Sequence, residues 1–192
     1  MFFGLKGFLT SIALGIFLFT TSAQGTSIAP VKIENLFAQA DQIALVKVLS
    51  GDSEHYSTAV YKAIVETDFK GTVKGQILFF GPYTGYSVGT EYLLFLKRGS
   101  TQSANIPTPI SYGLLPSVST IMYEGYAALP VGYECVFDGA DTRQICDDSV
   151  QLNPEQIILP KTINTFPAGD ATAITNYRKW VRKDVFLSLL HP

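Results

Sequence analysis

The sequence predicts a mainly β protein built on one curled antiparallel sheet. Three observations lead there. The chain carries ten Tyr, 13 Phe and 16 Gly, a supply of strand formers and turn formers in one molecule. Between residues 42 and 96, four apolar stretches follow one another with turn clusters between them. That spacing suits hairpins and a meander rather than the crossover helices of βαβ units. Finally, 47% hydrophobic against 16% charged residues over a length of 192 supplies enough apolar surface for a core and excludes a disordered chain.

The elements follow in chain order. Ile33, Leu36, Phe37 and Ala40 recur at i, i+3, i+4 and i+7, one face of a short helix. Residues 42–49 are a dense apolar run broken by Lys47, a first strand, and Ser50-Gly51-Asp52-Ser53 is a turn cluster after it. Residues 56–69 are rich in β-formers and put Ala59, Tyr61, Ala63, Val65 and Phe69 on one face. Lys70-Gly71 begins a turn that ends at Gly75; residues 76–80 are a third strand, 81–89 a loop rich in Gly and Tyr, and 91–96 a fourth strand. Residues 99–109 read as a surface loop. Residues 110–131 mix Tyr, Val, Ile and Leu with Gly113, Pro116, Gly125 and Pro130, the pattern of short strands that complete a barrel. Residues 156–159 are a short extended piece. Pro167-Ala168-Gly169-Asp170 then sets up a terminal helix with Asp170 as N-cap and Ile174, Tyr177, Val181 and Val185 as its stripe.

The first 23 residues predict an address. Lys6 is the only charge before Lys32, residues 7–20 are apolar apart from Thr10, Ser11 and Thr20, and Thr21 and Ala23 are small residues at −3 and −1 of a cleavage after Ala23. Positive start, apolar middle and small-residue end are the parts of a secretory signal peptide. The run falls short of the roughly 20 residues of a spanning helix, so no stable membrane anchor is expected after cleavage. Residues 24–192 are then one domain, secreted or periplasmic. Cys135 and Cys146 are the two cysteines, and in an exported chain such a pair predicts a disulfide. Asp138-Gly139-Ala140-Asp141 between them is turn chemistry that folds the flanks into a hairpin.

A family resemblance rests on three stretches. These are Phe37-Ala38-Gln39-Ala40-Asp41-Gln42-Ile43-Ala44-Leu45-Val46-Lys47-Val48, then Val65-Glu66-Thr67-Asp68-Phe69-Lys70-Gly71, then Val88-Gly89-Thr90-Glu91-Tyr92-Leu93-Leu94-Phe95-Leu96. As an ordered set, residues 33–98 resemble the secreted netrin-like domain shared with the tissue inhibitors of metalloproteinases. The resemblance implies an OB-like five-stranded barrel in an extracytoplasmic setting. It implies no functional residue. In those inhibitors a cysteine at the mature N-terminus chelates the target's zinc, whereas here the first cysteine is Cys135 and the multiple-disulfide framework is missing.

Candidate chemistry is sparse. The two histidines, His55 in a turn and His191 next to the end, fall short of a His-rich metal site, and no Gly-x-Ser-x-Gly stretch marks a nucleophile elbow. The Gly-rich loop 81–89 lacks the Gly-Lys-Ser/Thr ending of a phosphate loop. Glu134, Asp138, Asp141, Asp147 and Asp148 offer oxygens for calcium, but not at the spacing of a calcium loop. Arg178, Lys179, Arg182 and Lys183 read as a solvated face of the terminal helix, with Trp180 as a packing residue. Net charge is −2, with none of the basic surplus of a nucleic-acid binder. Tyr83, Tyr86, Tyr112, Tyr123, Tyr126 and Tyr133 are numerous in loops, and tyrosine, apolar with a polar tip, suits recognition of sugars or proteins. The expectation is an exported noncatalytic binding module for an extracytoplasmic protein or carbohydrate, without cofactor or metal, with Tyr83 and Tyr86 in its binding loop. The alternatives are a hydrolase with a site near His55, and an inhibitor of an exported protease acting through residues 83–88.

Overall fold

A strand can bury both faces only if something covers each of them, and the central strands of this chain are buried on both. The structure, a computed structural model, describes residues 29–52, 59–99, 117–137, 144–167 and 179–190. Residues 1–23, read in the sequence as a signal peptide, His55, Tyr112, Asp138, Asp141, the expected cap Asp170, Ile174, Tyr177, Arg178 and His191 lie outside these residues. In chain order the elements are β1 (Val31–Lys32), α1 (Ile33–Gln39), β2 (Gln42–Asp52), β3 (Val60–Lys70), β4 (Ile77–Gly81), β5 (Glu91–Lys97), β6 (Val118–Ile121), β7 (Ala128–Phe137), β8 (Gln144–Leu152), β9 (Ile157–Ile158), β10 (Phe166–Pro167), β11 (Lys179–Arg182) and α2 (Lys183–Ser188).

Five of these strands close a barrel. β2, β3 and β4 pair as antiparallel neighbours, β6 lies parallel to β4, and β5 pairs with both β6 and β2. The fourth barrel strand therefore returns to the first, and the fifth wedges between the third and fourth. This is the Greek-key order of an OB-like barrel, and it corrects the simple meander: β2, β3 and β4 follow one another, but β5 crosses over to β2. Closure through the β5–β6 pairing removes the free edges that β6 and the C-terminal half of β5 would otherwise present.

Cross-strand partners share a face, so the register sorts the core. Gln42, Ala44 and Val46 stand opposite Leu96, Leu94 and Tyr92; Tyr61 and Ala63 stand opposite Phe80 and Leu78; Ser119 and Ile121 complete the ring. These residues fill the lumen, where small side chains (Ala44, Ala63, Ser119) make room for Phe80 and Tyr92. The alternate set, Ile43, Leu45, Leu93 and Phe95, faces outward and is equally buried. Leu36 of α1 and Phe186 and Leu190 at the C-terminal end belong to the same continuous apolar cluster. At one lumen end Ser119 Oγ donates to Gln42 Oε1 at 2.6 Å, a buried pair that satisfies both side chains.

The remaining described strands extend the barrel wall into an arm. The N-terminal half of β5 pairs with β7, β7 with β8, β8 with β11 and β11 with β10. Two segments differ from the sequence expectation. Ser50-Gly51-Asp52 continues β2 rather than turning, with Gly51 opposite Tyr61. Lys179–Arg182 is a strand, not part of a terminal helix, and the helix is only Lys183–Ser188. Trp180 and Val181 are fully buried while Lys179 and Arg182 are exposed. Backbone bonding to β8 outweighed the helical spacing of Val181 and Val185. Trp180 is the packing residue expected, its ring stacked on Phe166 at 4.5 Å.

Cys135 and Cys146 face each other across the β7–β8 hairpin and are joined in a disulfide. Cys135→Ser combined with Cys146→Ser is expected to lose about 2–3 kcal/mol, the loop-closure value for a link spanning 11 residues. The loss is read as a lower urea midpoint. A double variant as stable as the parent would mean the hairpin is held by its strand pairing alone.

Candidate functional site

The connection from β4 to β5 crosses one end of the barrel and carries the two tyrosines singled out in the sequence. Tyr86 turns inward. Its ring meets Tyr61, Phe80 and Tyr92 edge-on, with centroids 5.1, 5.7 and 5.3 Å away, and this aromatic cluster plugs the lumen. Its Oη donates to the Gly125 carbonyl at 3.1 Å, tying the connection to the 3-10 turn Tyr123–Gly125. Burial, with smaller contributions from Tyr61, Tyr92 and Tyr83, pushes the Tyr86 phenol far above its ordinary value. It is a neutral donor and an anchor, not a base. The Ser87 N–H donates to Tyr92 Oη at 3.1 Å, a second tie between the connection and the barrel.

Tyr83 lies against the same turn. Gly125 adopts φ +93°, and a Cβ placed on it would stand 3.0 Å from the Tyr83 ring. A glycine is therefore required twice over, for the left-handed backbone and for the close approach of the ring. Tyr126, the next residue, remains exposed.

Together these residues form one wall of a cleft of about 780 Å³. The opposite wall comes from the arm: Gln151 near the end of β8, then Asn153 and Gln156 in the turn beyond it. Two of these amides are already held. Gln151 donates through Nε2 to Glu134 Oε1, and Asn153 Oδ1 accepts from the Glu155 N–H at 2.9 Å. The turn itself is clamped because the Val31 N–H donates to the Gln156 carbonyl at 2.8 Å where β1 pairs with β9. Of the described residues that line the cleft, none is Lys, Arg, Asp, Glu or His.

The sequence singled out Tyr83, Tyr86 and Tyr126, and the structure brings all three together. Gln151, Asn153 and Gln156 carried no signal, being ordinary amides far along the chain. Tyr123 donates to Gln39 Oε1 and Tyr133 stands exposed on the β7–β8 hairpin, so neither joins the cleft.

The charged groups are engaged elsewhere. Glu134 and Asp147 are opposite each other on β7 and β8, and Asp147 accepts from Arg182 Nε at 2.9 Å. Arg182 also reaches Asp184, and Lys183 pairs with Glu91 at 3.1 Å. The basic group is thus split between a strand end and a helix start and partly neutralised, which corrects the solvated helix face. Among the described residues no three His, Cys, Asp or Glu side chains converge as metal ligands. A second groove, about 580 Å³, lies at the far end of the barrel beside Gln42, Gly71, Arg98 and Ser119.

Comparison with protein-family models, with curated proteins and with solved structures finds no match to this chain.

Proposed function

We propose that this chain is an exported, noncatalytic binding module whose ligand sits in the tyrosine-lined cleft. One observation carries the reading: two walls from distant parts of the chain are each fixed by hydrogen bonds and meet around a concavity rimmed by tyrosines and amides. Ligand sites are concave, largely pre-formed and furnished with a few placed polar groups, and fixing those groups beforehand lowers the ordering cost of binding. Tyr86, hydrogen-bonded to the Gly125 carbonyl in that wall, is held as a neutral donor, a property of recognition rather than of proton transfer. Export is supported by the pattern of residues 1–23, and the disulfide is compatible with an oxidising compartment.

Retention from native extracytoplasmic extract tests the reading. Immobilised mature protein is expected to retain material that a Tyr83→Ala, Tyr126→Ala double variant retains at least about tenfold less, since truncated aromatic anchors typically lose that much. Equal retention by both would overturn the assignment of the cleft. A hydrolytic activity that disappears in His55→Ala would overturn the noncatalytic reading and favour the hydrolase. Mass spectrometry of the mature N-terminus is expected to find Gln24, and an intact Met1 on membrane-bound protein would overturn export.

A further inference from the structure

We propose that the ligand of this cleft is an uncharged saccharide, stacked on Tyr126 and hydrogen-bonded by the amides of Gln151, Asn153 and Gln156. The inference rests on the binding-module reading and names the chemical class it takes.

A pyranose presents a ring of hydroxyls, each both donor and acceptor, around a girdle of C–H bonds. A carboxamide matches that edge, because it carries a donor and an acceptor side by side, and three carboxamides stand on the arm side of this cleft. Their second bonds orient them. Gln151 spends its Nε2 on Glu134, which leaves its carbonyl oxygen as an acceptor. Asn153 spends its Oδ1 on the Glu155 N–H, which leaves its two Nδ2 donors. Thr84, Ser87 and Thr90 add hydroxyls on the facing side.

The apolar girdle needs a flat partner, and tyrosine supplies one with a polar edge. Tyr86 and Tyr92 are committed to the barrel plug, and Tyr83 is pressed against Gly125. Tyr126 is 44% exposed, and its ring is the free platform at the mouth. Its neighbour Gly125 is fixed from two directions by Tyr86 and Tyr83, so the platform is held by a rigid turn rather than a loose loop.

Charge then selects among polar ligands. A phosphate, a carboxylated sugar or a cation transferred into a cleft loses water, and recovers that loss only from opposite charge or metal. The described lining holds no charged side chain; the nearby Glu134 and Arg182 are already paired with Gln151 and Asp147. A neutral polyol loses only hydrogen bonds that amides and hydroxyls return. The volume, about 780 Å³, suits a short oligosaccharide, within the roughly 300–1,000 Å³ of small-ligand sites. A peptide would more naturally use a free strand edge or an apolar side-chain pocket, and the strands that line this cleft, β5, β7 and β8, each have a strand on both sides.

The test uses the full mature chain and a fixed set of probes: maltotriose, cellotriose, xylotriose and N-acetylated chitotriose as neutral saccharides, trigalacturonate as a charged one, and a pool of neutral hexapeptides. Amide NMR signals of residues 83–90 and 151–156 report on the cleft. At least one neutral trisaccharide is expected to shift them at millimolar concentration. Tyr126→Ala should weaken that binding at least about tenfold, and Tyr126→Phe should restore most of it because the stacking face survives. Since Tyr126 is exposed, its truncation should leave the fold intact, which the dispersion of the remaining signals checks. Failure of every neutral trisaccharide, tighter binding of trigalacturonate, or equal affinity in Tyr126→Ala would each overturn the inference. Shifts caused by the peptide pool alone would overturn the saccharide while leaving the binding module standing. If no probe binds and extract retention is also indifferent to the cleft variants, both readings fall.

Discussion

Phe95→Ala is expected to destabilise the protein by about 3–5 kcal/mol, the usual loss for deleting a fully buried phenylalanine. Phe95 has no exposed surface and sits where β5 changes partners. Its N–H donates to the Ala127 carbonyl at 2.9 Å and its carbonyl accepts from the Met122 N–H at 3.1 Å. Those two bonds hold the connection that takes the chain from the barrel strand β6 to the arm strand β7. The ring itself packs on the outward face, opposite Ile43 across β2. A cavity there is bounded by strands of a closed barrel, which cannot collapse inward without breaking pairing. The measurement is the urea midpoint with an unchanged m-value. A loss under about 1 kcal/mol would mean the site relaxes around the hole and the barrel wall is not rigid there. Leu94, one residue earlier, is buried in the lumen instead, and Leu94→Ala is expected to lose about 2–5 kcal/mol through the other face of the same strand.

Gly71→Ala is expected to be nearly as damaging, at about 2–5 kcal/mol, from left-handed strain together with steric overlap. Gly71 has φ +65°, and a Cβ on it would stand 2.2 Å from the Asp41 carbonyl oxygen. That oxygen belongs to backbone and cannot swing away. The neighbourhood is also tightly stitched. The Gly71 carbonyl accepts from Arg98 Nη2 at 3.2 Å. Lys70 Nζ donates to the Phe37 carbonyl at 2.9 Å, filling an open acceptor at the C-terminal end of α1. Gly75 provides the control. It too has a left-handed φ, +81°, but a Cβ there meets nothing within 4 Å. Gly75→Ala should therefore lose only the strain, about 1–2 kcal/mol. Equal losses at the two positions would show that the approach to Asp41 carries no energy.

This pair explains the Lys-Gly ending of the long strand. Read in the sequence, it was one piece of a resemblance. In the fold, Lys70 holds the end of α1 and Gly71 is the only residue type that lets the turn pass under Asp41. Strands β2 to β5 were legible for a similar reason. Runs such as residues 42–48 and 91–96 state their conformation locally, through β-branched and aromatic side chains whose preferences act within a few residues. The disulfide was legible because two cysteines allow one pairing and a turn lay between them.

What could not be read locally was decided by burial over long distances. Nothing in residues 91–97 says that they pair with β2 rather than β4; that follows because only a closed barrel covers both apolar faces of β2 and β5 at once. Residues 179–182 matched a helical spacing, yet in the fold β8 offered them a row of backbone partners and a place to bury Trp180 and Val181. The cleft divides the same way. Tyr83, Tyr86 and Tyr126 were visible as loop tyrosines. Gln151, Asn153 and Gln156 were not, because an amide has no periodicity and gains its meaning only when the pairing of β7 and β8 brings it to the same cleft as the tyrosines. The sequence by itself determined that the apolar runs at residues 43–48, 61–65, 77–80 and 92–96 are strands, that Cys135 and Cys146 pair, and which connections carry tyrosine. The tertiary structure alone decided the order of pairing and the facing of the two cleft walls, because these depend on which apolar surfaces the whole chain can remove from water together.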